Sequence, residues 1–107
     1  MELNIPEFGR FAEPSLLIMV SLSDGPKHGY AIMQDVERGT GRPMGAGTLY
    51  AALARLEEHG LIEPLAPENR RRPYRLTAIG ASNLAVQLRG LSELAQMGLR
   101  QLGETQP

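Results

Sequence analysis

The run Gly47-Thr-Leu-Tyr-Ala-Ala-Leu-Ala-Arg-Leu-Glu-Glu-His-Gly-Leu-Ile62 constrains this chain more than any other stretch. Leu49, Leu53 and Leu56 recur at helical spacing with Ala52 beside them, so the segment reads as one amphipathic helix. Gly47, Ala51, Ala54 and Glu58 fall on the opposite face, flanked by Thr48 and Arg55 on one side and Tyr50 on the other. A solvated helix face usually carries long charged side chains. Here its first two turns are small and nearly uncharged, so the backbone can come close to another surface. Gly60 stands where a C′ glycine ends a helix, and Leu61-Ile62 begins something extended. A slim-ended helix, then a strand, then a basic turn, is the layout a winged helix needs to enter a DNA groove.

The remaining sequence has to supply a body for that helix. A chain of 107 residues has room for one domain and one projecting element. It has no cysteine, which removes disulfides, thiolate metal sites and cysteine nucleophiles and fits a cytoplasmic setting. No stretch approaches the roughly 18 uninterrupted apolar residues of a membrane span, and the N-terminus lacks the pattern of a secretory signal. The net charge of −1 counts at first against a nucleic-acid partner, but Arg70, Arg71, Arg72 and Arg75 are concentrated while the acids are dispersed. Local potential governs docking on phosphates; a near-neutral total implies weak non-specific affinity.

Along the chain, Leu3, Ile5, Phe8 and Phe11 alternate with polar neighbours and suggest a short arm or loose helical turn. Pro14 suits the first position of a helix, and Leu16 to Val20 with Leu22 is apolar on nearly every side, as an interior helix would be. Ser23-Asp-Gly-Pro26 is a dense turn signal. A second helix is expected over 28–38 with Ile32, Met33 and Val36 inward, and a third over about 46–59; these two form a helix-turn-helix pair. Ile62 to Ala66 and Tyr74 to Leu76 read as the strands of a hairpin wing whose turn is Pro67 to Pro73. Thr77 is a natural N-cap for a last helix to about Leu102. The expected fold is mainly α with a small β-hairpin: a winged helix-turn-helix over 1–76 and a C-terminal dimerisation helix with its tail over 77–107.

At 1.5 Å per residue, a last helix of ~25 residues would run about 38 Å, longer than so small a body can cover. Along it Leu84, Leu88, Leu91, Ala95, Gly98 and Leu102 form a heptad-like seam. Left alone, it would expose several hundred Å² of apolar surface, which monomers rarely tolerate. The expected partner is the same helix of a second copy. Gly80, Gly90 and Gly98 each cost about 1 kcal/mol of helix propensity, so packing must hold this helix.

Four segments in this order and spacing, Asp24-Gly-Pro-Lys-His-Gly-Tyr30, Gly47-Thr-Leu-Tyr50, Arg55-Leu-Glu-Glu-His-Gly-Leu-Ile62 and Arg71-Arg-Pro-Tyr-Arg-Leu-Thr77 with Gly80, resemble the PadR family of bacterial transcriptional regulators. The single last helix is similar to that of the short subfamily, where it builds the dimer. Two features depart from the family pattern. The wing strand often reads basic-Lys-Tyr-Tyr in the family but Arg72-Pro-Tyr-Arg75 here, and Pro73 removes a backbone donor, which predicts weakened pairing there. Some short members bind flat aromatic compounds with a tryptophan of the last helix; this chain has no tryptophan, so drug sensing is not carried over.

The implied function is sequence-specific binding of an inverted-repeat operator by a homodimer, with repression by promoter occlusion and release by a possible small effector. The candidate DNA-binding residues are Lys27, His28, Tyr30, Gly47, Thr48, Tyr50, Ala51, Arg55, Arg70, Arg71 and Arg72; the dimerisation residues are Leu84, Leu88, Leu91, Ala95 and Leu102. Thr48 suits a phosphate or base edge, Ala51 a thymine methyl, and Arg55 a phosphate at the groove wall. For Tyr50, a ring packed under its helix with only the hydroxyl outward is an equal reading. His28 and Tyr30 open a helix where N–H groups favour a phosphate, against plain solvent exposure for His28. His59 reads as a favourable dipole partner at a helix end. No cofactor or metal is expected, since two dispersed histidines make no cluster. A winged helix serving a protein partner is the alternative; an enzyme has no nucleophile–base pair or phosphate-cradling loop to support it.

Overall fold

The computed structural model describes residues 13–104, so the expected N-terminal arm lies outside the described residues apart from its last position. The chain runs α1 (Glu13–Leu22), β1 (Lys27–His28), α2 (Gly29–Thr40), α3 (Ala46–Glu58), β2 (Ile62–Pro64), β3 (Pro73–Leu76) and α4 (Ala78–Gln101). The molecule measures 52 × 28 × 24 Å.

Helix α1 packs on α2, α3, α4 and β3, as its apolar sequence requires. Ile18, Met19 and Leu22 enter the core with Ile32 and Val36 of α2, Leu49, Ala52, Leu53 and Leu56 of α3, and Ile62 of β2. The helix is not interior on every side, however: Val20 is 43% exposed. Helix α2 ends at Gly41, whose left-handed φ of 76° lets its N–H reach the Glu37 carbonyl.

The end of α3 is a Schellman motif. Gly60, at φ 73°, donates to the Glu57 carbonyl at 3.0 Å, and Leu61 donates to Leu56 at 2.9 Å. The start of α4 is tied to the same place. The Thr77 hydroxyl donates to the Gly60 carbonyl at 2.7 Å and accepts from the Gly80 N–H at 2.9 Å. A Cβ on Gly80 would lie 1.9 Å from the Leu61 carbonyl oxygen, so this helix can approach only because residue 80 has no side chain.

The expected hairpin is one part of a three-stranded antiparallel sheet in the order β1-β3-β2. Ile62 faces Leu76 and Pro64 faces Tyr74 across β2–β3, while Lys27 faces Tyr74 and His28 faces Pro73 across β1–β3. Pro73 does not disrupt the hairpin, because its carbonyl is what the ladder uses: it accepts from Leu65 at 2.8 Å. As the first residue of β3 it spares the sheet a donor in mid-strand. Beyond it the chain reverses at Asn69 and Arg70, both with positive φ (50° and 66°), the requirement of a tight primed turn. Glu68 and Arg71 close that turn with two backbone hydrogen bonds of 2.7 and 2.8 Å.

Helix α4 leaves the body early. Gly80 and Leu84 are buried, Leu84 being 5% exposed within the protomer's own core. Leu84 is thus covered within the protomer itself, where α4 lies against α1. Leu88, Leu91, Ala95 and Leu102 continue the same line outward and are exposed, Leu91 by 48%. Among the described residues no helix is long and apolar enough to cross a membrane.

Candidate nucleic-acid interface

Helix α3 divides as its spacing demands. Leu49, Ala52, Leu53 and Leu56 are buried, whereas Gly47, Thr48, Ala51, Ala54 and Arg55 are exposed. No side chain longer than threonine rises from that outer face until Arg55, so another surface can approach the backbone over two turns.

Beside α3 lies a cleft of about 290 Å³ bounded by His28, Gly29 and Tyr30 at the start of α2, Tyr50 of α3, Tyr74 of β3 and the wing arginines 70–72. His28 is the N-cap of α2, its Nδ1 accepting from the Ala31 N–H at 3.4 Å. Its Nε2 lies 3.2 Å from an Arg71 guanidinium nitrogen. Arg71 also lies over the Tyr30 ring, 5.9 Å from its centroid, near the outer limit for a cation–π contact. Arg72 donates to the Leu65 carbonyl at 2.7 Å, within the wing. Arg75 is paired with Glu63 across the hairpin and is not part of this positive surface. Tyr50 is 54% exposed, and its hydroxyl does not reach outward, as one reading expects, but sits over Gly29, where a Cβ would come within 2.7 Å of it. The Tyr74 phenol lies deeper, and burial followed by the nearby Glu57 charge pushes its pKa up.

Lys27 stands apart from the residues it was grouped with. Its ammonium donates to the Ser21 carbonyl and to the carboxylates of Asp24, at 2.7 Å, and Asp35. Desolvation lowers the Lys27 pKa, but the two carboxylates outweigh it and the net shift is upward. Asp35 is held below its ordinary value, first by the bond from Lys27 and then by the Ser21 hydroxyl, which donates to it at 2.8 Å. The pair therefore contributes fully at neutral pH. Asp35's share is lost as pH falls through its folded pKa, and Lys27's as pH rises through its own.

A family model described as the transcriptional regulator PadR-like family matches residues 18–86, which span α1 to the first turns of α4. The chain belongs to the PadR family. Its fold is that of PadR-like winged helices: a transcriptional regulator from Clostridium thermocellum superposes with a TM-score of 0.73 at 25% identity, covering 94% of this chain and 96% of that one. The transcriptional regulator Rv3488 of Mycobacterium tuberculosis is 37% identical over 93 residues, 84% of this chain and 85% of the relative. An uncharacterized 37.1 kDa protein in transposon TN4556 of Streptomyces fradiae is 40% identical over 86 residues; these cover 80% of this chain but 25% of that protein. The PadR family is one of transcriptional regulators. Among the described residues no group of three or more histidine, aspartate and glutamate side chains is placed to hold a metal.

Sequence reasoning found the arginines, α3 and its bare face, but missed β1 and the Lys27 network. The spacing of Lys27 from Asp24 was visible; its second carboxylate, Asp35, becomes a neighbour only once α2 folds back on α1.

Proposed function

We propose that this PadR-family protein is a repressor that binds an inverted-repeat operator as a homodimer, each copy setting α3 into one major groove. The carrying observation is that α3, whose outer face carries small exposed side chains, lines one cleft with the arginine-tipped wing through its Tyr50. In this reading α3 enters the groove at Gly47, Thr48 and Ala51, with Arg55 at its wall, and Arg70, Arg71 and Arg72 meet the flanking backbone. His28 and Tyr30 meet a phosphate at the start of α2. The α4 helices join the copies through Leu88, Leu91, Ala95 and Leu102, spacing the recognition helices about 34 Å apart, one turn of duplex. A small effector would relieve repression by shifting the angle between them.

The test is a gel shift of promoter DNA across a salt series with wild type and Ala51→Glu. Wild-type binding is expected to fall steeply with salt. The folded variant is expected not to bind, because glutamate adds bulk and negative charge where α3 meets the groove. A folded Ala51→Glu protein that binds like wild type would mean another face reads the DNA. A wild type indifferent to every duplex at low salt would favour a protein partner instead.

A further inference from the structure

We infer that Lys27 and Asp35 are positioning residues for the DNA-facing surface: their ion pair fixes the wing against the helix-turn-helix, and Lys27 touches no phosphate. The inference rests on the reading of that surface given above.

An ammonium group has three N–H donors, and Lys27 has three oxygens for them: the Ser21 carbonyl at the end of α1, the Asp24 carboxylate in the following turn, and the Asp35 carboxylate on α2. Its side chain is 19% exposed and that of Asp35 is 23% exposed. Swinging Lys27 out to a phosphate would leave the part-buried Asp35 carboxylate with only the solvent-exposed Arg38 as its cation, and a part-buried charge that loses a partner is destabilised. Arg38 also pairs with Asp35, so two cations and two carboxylates cancel and the cluster lends little attraction to DNA.

What the cluster governs is geometry. Lys27 is the first residue of β1, opposite Tyr74 of β3, and His28 is opposite Pro73. Strand β1 is two residues long, so its hold on β3 is slight. The wing arginines, residues 70–72, run directly into β3. A side chain that roots β1 in α1 and α2 therefore gives the wing a second tie to the body, beside the one through β2.

The two roles for Lys27 predict opposite signs for Asp35→Asn. If Lys27 contacted phosphate, removing the carboxylate would free the ammonium and tighten binding. As a positioning pair, Asp35→Asn is expected to weaken binding roughly five- to tenfold even though it removes negative charge. Full-length wild type, Asp35→Asn, Lys27→Met and Lys27→Arg would be titrated on a promoter fragment at several salt concentrations. Lys27→Met is expected to weaken binding with an unchanged log–log salt slope, and Lys27→Arg to restore most of the affinity. Tighter or equal binding by Asp35→Asn, or a slope lower by about one unit in Lys27→Met, would overturn the inference. Amide exchange supplies a readout independent of DNA. Faster exchange confined to β1 and β3 in Lys27→Met is expected, and unchanged or uniformly faster exchange would count against the pair. A wild type that binds no duplex defeats the DNA reading instead, and the exchange result still decides whether this pair holds the wing.

Discussion

Gly80 shows how one residue without a side chain can set the placement of two elements. The α3 terminus and the α4 start share the Thr77 hydroxyl and the Leu61 carbonyl, and α4 approaches that carbonyl at residue 80. Alanine is normally the better helix former by about 1 kcal/mol, so propensity alone favours Gly80→Ala. The contact reverses the sign, since a methyl 1.9 Å from a backbone oxygen forces the helix outward. Gly80→Ala is expected to destabilise the fold by about 2–3 kcal/mol in urea unfolding. A stability equal to wild type would show that α4 can leave Leu61 at no cost. The sequence identifies Gly80 as a misfit in a helix; the reason for it, a carbonyl from nineteen positions earlier in the chain, is a tertiary contact.

Among the elements, α3 and the wing divide the work. The face of α3 presents backbone and small side chains, while the wing presents guanidinium groups on a turn whose positive φ angles hold its tip in one geometry. Arg71 and Arg72 rest on different partners, one toward His28 and Tyr30, the other on the Leu65 carbonyl. Replacing both by alanine is expected to weaken binding to all duplexes alike and to lower the log–log salt slope by close to two units. Unchanged affinity would remove the wing from the mechanism. The helix bounds and the stop at Gly60 were legible because caps and apolar spacing are local signals. Strand β1 was not, since two residues carry no alternation and acquire strand geometry only by lying against β3.

For the whole molecule, the exposed reach of α4 is the feature that one chain leaves unfinished. Its 24 residues span about 36 Å, and beyond Leu84 the stripe through Leu88 and Leu91 runs off the body. A second copy on that stripe would hide it and set the spacing of two recognition helices together. Leu88→Lys with Leu91→Lys is expected to give monomers or insoluble protein, read by sedimentation equilibrium. A stable dimer of the double variant would place the interface elsewhere. Leu84 is the instructive exception along this line: it has the same spacing and residue type as its neighbours, but it is used inside the protomer.

The division between sequence and tertiary structure follows from the range of the forces concerned. Hydrophobic spacing, caps and turn residues act within a few positions, so the chain order by itself determined the four helices of the described residues, a basic hairpin and the bare side of α3. What a charge or an apolar side chain meets depends on which distant segment folds beside it. Only the tertiary structure turned Lys27 inward to Asp35, made a third strand of β1, used the carbonyl of Pro73 and drew Leu84 into the core.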